Sequence, residues 1–367
     1  MTLSILVITP QNRHRKNSTK YGVLSPAVQS IKMEDLALQT LDHLSKGRKS
    51  CCLAFIHFVL THPLCSILKY MAQSDFKGIC KNLLRSEPVF RNKCNEIKQL
   101  FQQISPSGIW ELTEKEHVDL SNPEIAQPLL FTVQVALVTL LQYWGIKPIA
   151  AVGHSVGEAA AAHCAGLLSL EDAVKVVHHR SRLQAKVSGG KMLVVGNIPV
   201  EEVSAALSAY SGKVCVAAFN SPQSCTLSGD EESISAAQKH LAENFKKRNI
   251  FLHLLNVPVA YHSHMMDPIL TEMAESISVL KKGKLIMDLI STATGKAALG
   301  DDFVTGFYWA KQAQDPVSFA EAIMTSAKDK GNIAFVVIGG VYLLLAKTMF
   351  MNPWHSLSST AVPLLGS

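Results

Sequence analysis

Spacings that would mark a metal or redox centre are missing from this chain. Its eight cysteines, at 51, 52, 65, 80, 94, 164, 215 and 225, include no Cys-x-x-Cys pair, so neither a zinc site nor a dithiol motif is expected. Scattered thiols suit a reducing compartment, and a cytoplasmic location is the expectation. No apolar stretch runs unbroken for the roughly 20 residues of a spanning helix. Cys51–Leu68 is broken by His57, His62 and Pro63, and Leu129–Trp144 by Thr132, Gln134, Thr139 and Gln142. Leu3–Ile8 is too short for the apolar part of a cleavable leader, so neither a leader nor a membrane association is expected. Basic residues gather only in the short runs Arg13–Lys16, Lys246–Arg248 and Lys281–Lys284, without interleaved aromatics. That argues against a nucleic-acid partner. The runs read as solvated surface, or as weak attraction for an anionic partner under the net charge of +6. Internal repeats and low-complexity tracts are absent too, which excludes a solenoid.

What remains is a chain of 367 residues, 48% apolar and 17% charged, enough for one large α/β domain with attachments. Residues 1–65 read as a separate, linker-like leading segment, with strands at Ile5–Thr9 and Leu53–Val59 and helical spacing over Ala27–Leu44. Asn82–Phe101 reads as a helix interrupted by Pro88, Asn122–Pro128 as a loop, and Leu129–Trp144 as a buried helix stopped by Gly145. Pro148–Val152 suits a strand buried on both faces, followed by a helix over Val156–Ala165. This succession predicts a parallel sheet.

From 190 to 258 the order changes to β-α-β-β-α-β. Strands at Met192–Gly196, Val214–Phe219, Ser224–Leu227 and Ile250–Val257 alternate with helices at Val200–Tyr210 and Glu231–Glu243. The spacing predicts an inserted ferredoxin-like subdomain. Beyond it come a helix near Pro268–Leu280, a strand near Leu285–Thr292, a helix near Val317–Lys328, a strand at Ile333–Gly339 and a tail over 351–367. The expected fold class is α/β: a parallel-sheet, hydrolase-like core, placed at 66–350, carrying that insertion.

Gly153-His154-Ser155-Val156-Gly157 fits Gly-x-Ser-x-Gly, preceded by an apolar strand and followed by a helix of small residues. In that context Ser155 sits on a tight strand-to-helix turn, where glycines let neighbouring backbone approach. Its hydroxyl then lies at a helix N-terminus, and the Val156 N–H is the first donor for a developing oxyanion. The plain alternative is a serine N-cap without chemistry. A serine nucleophile requires a base; His262 and His264, just after the insertion, are candidates.

The hexapeptide Gly153 to Glu158 resembles the active-site motif of malonyl-CoA:acyl-carrier-protein acyltransferases, particularly those of type I polyketide synthases and animal-type fatty acid synthases. Further stretches resemble the same family in the same order: Ser86 to Arg91, Ala126-Gln127-Pro128, Val177 to Arg182, Asn220-Ser221-Pro222, Ala260 to Ser263, Tyr308-Trp309 and Pro316 to Phe319. Together they cover about residues 70 to 345, and 1–65 resembles part of the linker between ketosynthase and acyltransferase domains.

The resemblance implies that Ser155 is acylated, with His262 as base and His264 as second choice. It implies a backbone carbonyl, rather than an aspartate, orienting the histidine. Arg180 is implied to hold the malonyl carboxylate, Arg182 being the next candidate. Gln127, Asn220, Tyr261 and His154 are implied to line the pocket, with the ring of Tyr261 favouring malonyl over methylmalonyl. Val156 and Ala72 are implied to supply the oxyanion donors. The expected substrates are malonyl-CoA and the phosphopantetheine arm of an acyl carrier protein, with no bound cofactor or metal. The expected partners are that carrier and the ketosynthase and other domains of a longer synthase.

The chain departs from the pattern at Met71-Ala72-Gln73-Ser74, where the family has Gly-Gln-Gly, at Val337 to Val341, and at Gln312, where the family has Asn. A slower enzyme is the expectation from the first. Two other functions share the elbow or fold: a serine thioesterase or hydrolase, and a silent docking module.

Overall fold

A computed structural model describes residues 3–8, 83–105, 121–330, 334–338 and 360–363. The readings over 27–59 and the 71–74 loop with Ala72 lie outside the described residues. The chain opens with strand β1 (Leu3–Ile8). Helix α1 (Pro88–Ile104) begins at the proline read above as an interruption. Residues 83–86 are helical, the helix breaks at Glu87 and Pro88 opens the next one, so the interruption falls where the sequence places it: proline at a first helical position sacrifices only an N–H that has no intrahelical partner anyway. Helix α2 (Pro123–Tyr143) likewise begins inside the stretch read as a loop. Asn122 caps it, its side chain accepting from the Glu124 N–H at 2.9 Å. Pro128 then lies within the helix, and the Thr132 hydroxyl donates to the Pro128 carbonyl at 2.7 Å. Asn and Pro are turn formers by composition, but here they are the cap and first turn of a helix.

Among the described residues α2 alone is long and apolar enough to cross a membrane by length and composition. Most of it is buried, and it packs on α1 and on two helices that follow. These flank the site: β2 (Ala150–His154), buried at every position, runs into α3 (Gly157–Cys164), and α4 (Leu170–Gln184) follows. The Ser169 side chain accepts from the Asp172 N–H at 3.0 Å to cap α4, a Ser-x-x-Asp start legible in the sequence.

The insertion comprises β3 (Gly190–Gly196), α5 (Val200–Ala206), β4 (Val214–Ser221), β5 (Ser224–Asp230), α6 (Glu231–Asn244) and β6 (Phe251–Leu254). Its sheet has the order β4-β5-β3-β6, with every pair antiparallel. Alternate residues Leu193, Val195, Cys225 and Leu227 face one side, where Val203 of α5 and Ile234 and Leu241 of α6 close a separate small core. This is the ferredoxin-like arrangement that the order of elements predicts.

The chain then returns through α7 (Asp267–Ile277), β7 (Asp288–Ile290), α8 (Gly306–Gln314), α9 (Phe319–Ala327), β8 (Ala334–Ile338) and β9 (Thr360–Pro363). The large sheet has the order β7-β2-β1-β8-β9. Its β2–β7 and β8–β9 pairs are parallel, whereas β1 runs antiparallel to both β2 and β8. The sheet is therefore mixed, with one antiparallel strand at its centre. The architecture is α/β: this sheet flanked by helices, with the small sheet attached.

Two backbone approaches fix the insertion to the core. At its exit and return, Gly190 lies so close to Ala260 that a Cβ on Gly190 would stand 2.4 Å from the Ala260 nitrogen. At its edge, the Phe219 N–H of β4 donates to the Val317 carbonyl and the Val317 N–H donates to Ala217, both at 2.9 Å. Gly190→Ala is expected to lower unfolding stability by ~1–3 kcal/mol, the usual cost of overpacking. Urea unfolding of the variant beside the parent protein measures it; an unchanged midpoint would show that segment 260–262 moves aside freely.

Candidate active site

The site forms where the core and the insertion meet. Ser155 stands between the end of β2 and the start of α3 with a left-handed backbone, φ 56°. Gly153 permits the turn: a Cβ there would lie 2.3 Å from the Glu158 backbone and the Gly157 carbonyl. The following helix is built of small buried residues, Ala159 to Ala162, so α3 lies close on the sheet. Val156 begins it in right-handed helical geometry, and among the described residues its N–H has no acceptor. An N–H left free beside a serine hydroxyl is the arrangement an oxyanion donor requires.

His262 arrives from the return of the insertion, also left-handed at φ 58°. Its Nε2 lies 2.7 Å from Ser155 Oγ, and its Nδ1 lies 2.8 Å from the backbone carbonyl of Asp315. A carbonyl only accepts, so it fixes Nδ1 as the protonated nitrogen and leaves Nε2 free to accept from the serine. Burial, followed by the neighbouring Arg180 charge, depresses the imidazole well below its ordinary range. The ring is therefore neutral at neutral pH, as a base must be. His264, the second choice, is exposed in the turn before α7.

Arg180 projects from α4 and is 1% exposed. Its Nη2 donates to Ser155 Oγ at 3.1 Å and its Nη1 donates to Gln312 Oε1, while Nε is buried without a partner. No carboxylate pairs with Arg180 among the described residues. Burial lowers the guanidinium to about 10, with Glu158 the largest opposing influence, and the group remains a cation at neutral pH. Arg182 instead faces the surface and pairs with Glu272 at 3.1 Å.

The remaining expected residues divide. His154 Nε2 lies 3.3 Å from Asn220 Oδ1, joining β2 to the insertion, and the His154 ring packs on Phe319 at 5.1 Å. Tyr261 directly precedes His262, and burial pushes its phenol up to about 12. Gln127 Nε2 donates to Gln184 Oε1 at 2.6 Å, on the helix of Arg180 and one turn further along. Among the described residues no group of His, Cys, Asp and Glu has the form of a metal site.

Five polar residues beneath the serine were given no role by the sequence reading. Glu158 is fully buried and accepts from Tyr308 Oη, from Thr292 Oγ1 at 2.9 Å and from Gln312 Nε2 at 3.1 Å. Ser291 Oγ lies 2.8 Å from Tyr308 Oη. Gln312, noticed in sequence only as a departure, also donates to the Ser155 carbonyl at 2.9 Å. One signal was available: Glu158 is a single acid among small apolar residues on a helix that must pack closely, and a charge so placed demands partners.

Comparison with known proteins gives the family and the fold. A profile of the acyl transferase domain family matches residues 73–348. The PKS-NRPS hybrid synthetase ATPKS of Aspergillus niger is 35% identical over 270 residues, covering 71% of this chain and 14% of that protein. The mycoketide-CoA synthase of Mycobacterium tuberculosis is 38% identical over 220 residues, 60% of this chain and 5% of that protein. The chain thus spans only a small part of the length of these curated relatives. Among solved structures, the acyltransferase domain from the second module of the salinomycin polyketide synthase gives a TM-score of 0.68 at 30% identity, over 80% of this chain and 66% of that one. The acyltransferase domain of the polyketide synthase PpsC of Mycobacterium tuberculosis gives 0.69 at 26% identity, over 80% and 88%. With three quarters of its length matched by one family profile and its fold shared with these domains, the chain belongs to the acyl transferase domain family and carries an acyltransferase domain of the polyketide synthase kind.

Proposed function

We propose that this domain moves a malonyl group from malonyl-CoA to the phosphopantetheine thiol of an acyl carrier protein through an ester on Ser155, within a longer synthase. The observation that carries the reading is Arg180: a buried cation without a carboxylate partner among the described residues, 3.1 Å from the serine hydroxyl. A buried charge is stable only when matched, so the acyl group that enters beside Ser155 should bring an anion. The free carboxylate of malonyl does so, and the planar guanidinium offers it two parallel hydrogen bonds.

In the first half-reaction His262 Nε2 takes the proton from Ser155 Oγ as the oxygen bonds to the thioester carbonyl carbon. The Val156 N–H stabilises the oxyanion, with a second donor assigned to the 71–74 loop. Collapse breaks the C–S bond, the proton passes to the leaving sulfur, and coenzyme A departs as the thiol. The second half runs in reverse: His262 deprotonates the pantetheine thiol, its sulfur bonds to the ester carbon, and the C–O bond to Ser155 breaks with return of the proton. The phenol ring of Tyr261 occupies space that an α-methyl would need, which favours malonyl over methylmalonyl by about 1–3 kcal/mol. The carbonyl anchor of His262, where many serine hydrolases use a carboxylate, supports transfer to a thiol over simple hydrolysis.

Three outcomes are expected. Intact-protein mass spectrometry after mixing with malonyl-CoA should show one malonyl adduct that Ser155→Ala abolishes; an adduct on the variant would end the assignment. Arg180→Ala should lose roughly 2–5 kcal/mol of malonyl transfer, the range for truncating one side of a buried charge pair, while acetyl transfer holds or improves. A malonyl-to-acetyl ratio unchanged from wild type would remove Arg180 from recognition. Finally, a histidine depressed below its usual value loses its proton at lower pH, so the acid limb of kcat/KM should lie well below pH 6.5. Arg180→Ala removes one of the depressing influences, so acetyl-transfer profiles of that variant should show the limb moved to higher pH.

A further inference from the structure

We propose that Glu158 is a positioning residue, gathering on one carboxylate the side chains that hold the two backbone carbonyls at the Ser155 turn. The inference rests on the reading of Ser155 as nucleophile. Thr292 Oγ1 lies 2.8 Å from the Gly153 carbonyl and 2.9 Å from Glu158 Oε2. Gln312 Nε2 donates to the Ser155 carbonyl at 2.9 Å and to Glu158 Oε2 at 3.1 Å. Thus a single carboxylate oxygen meets both groups that grip the backbone on either side of the turn. The other oxygen accepts from Tyr308, which is in turn held by Ser291.

The arrangement joins three parts of the chain. Glu158 is the second residue of α3, Ser291 and Thr292 follow β7 directly, and Tyr308 and Gln312 stand on one face of α8. Glu158 and Thr292 are wholly buried, so these contacts do not exchange with solvent. Burial pushes the Glu158 carboxyl above its usual range, and hydrogen bonds from Tyr308, Thr292 and Gln312 oppose that shift. Tyr308 donates to one oxygen of Glu158 and Gln312 to the other, so an amide in its place would turn its NH₂ toward one of them. Thr292 has one hydroxyl proton to share between Gly153 and Glu158, so its direction depends on the acceptor beyond it.

The turn needs such a hold because the left-handed conformation is unfavourable for a serine. Relaxation of either carbonyl would swing Oγ away from His262 Nε2. A displacement of about 1 Å is enough to cost roughly 100-fold in rate. Gln312 also accepts from Arg180, so the same clamp aligns the guanidinium with the hydroxyl.

The test uses the full chain with Glu158→Gln, Thr292→Val and Thr292→Ser. Ile234→Val, in the separate core of the insertion, is the control for general loss of stability. Two rates are read by mass spectrometry: labelling of Ser155 by a fluorophosphonate, which reports hydroxyl activation without an acyl substrate, and single-turnover acylation by malonyl-CoA. Glu158→Gln and Thr292→Val are expected to slow both by about 10- to 100-fold, with the half-saturating malonyl-CoA concentration changed by less than about 3-fold. Thr292→Ser should recover the rate, and Ile234→Val should leave both rates unchanged at a comparable loss of thermal midpoint. Wild-type rates in folded Glu158→Gln, or equal loss in Thr292→Ser and Thr292→Val, would overturn the proposal. If Glu158→Gln does not fold, the Thr292 pair decides. If the wild type takes the fluorophosphonate but not malonyl, the substrate reading fails and the clamp is judged on the fluorophosphonate rates alone. If the wild type takes neither at Ser155, both fall.

Discussion

Ser155 is held with φ at 56°, a conformation that brings the Cβ of an L-residue toward its own following carbonyl at a cost of ~1–2 kcal/mol. Much of the neighbouring structure follows from tolerating that turn. A bare Cα at Gly153 lets α3 begin immediately, and alanines along α3 let it press on the sheet. The hydroxyl then meets the segment by which the chain returns from the insertion. His262 meets it from a second left-handed position, φ 58°, at the return of the inserted subdomain. Two left-handed residues thus meet with Oγ and Nε2 2.7 Å apart, one following β2 and the other where the chain returns from the insertion.

Buried charge is the second constraint. Arg180 and Glu158 are both almost wholly excluded from water, and Gln312 stands between them with its carbonyl toward the cation and its amide toward the anion. An amide so oriented lowers the cost of both charges without neutralising either. The guanidinium is left without a carboxylate partner among the described residues, while the glutamate meets three side chains. Placing the anion below the elbow and the cation beside it separates the two roles.

The α/β architecture and the insertion were legible because their signals are local. Alternation at Leu193, Val195, Cys225 and Leu227, and the wholly apolar run into Gly153, report burial directly. The serine and the histidine could be placed by motif and by order. The start of α2 was misread because Asn122, Pro123 and Pro128 carry the same composition whether they end a turn or begin a helix. The direction of β1 was not legible, since alternation along a strand does not say which way its neighbours run. Glu158, Thr292, Tyr308 and Gln312 were out of reach for another reason: their relation exists only after α3, β7 and α8 meet, across separations of more than a hundred residues in sequence.

The acceptor that orients His262 belongs to the peptide backbone, and this has a genetic consequence. Substituting Asp315 changes its half-exposed carboxylate but leaves the carbonyl, so alanine scanning passes over the third member of the array without registering it. What sets the direction of that carbonyl is the extended backbone of Asp315, φ −66° and ψ 151°, and the residue that enforces it is the one after. Pro316 bars its predecessor from the helical region, so α8 must stop where the histidine needs its anchor. A group with no side chain thereby acquires a mutable address one position downstream.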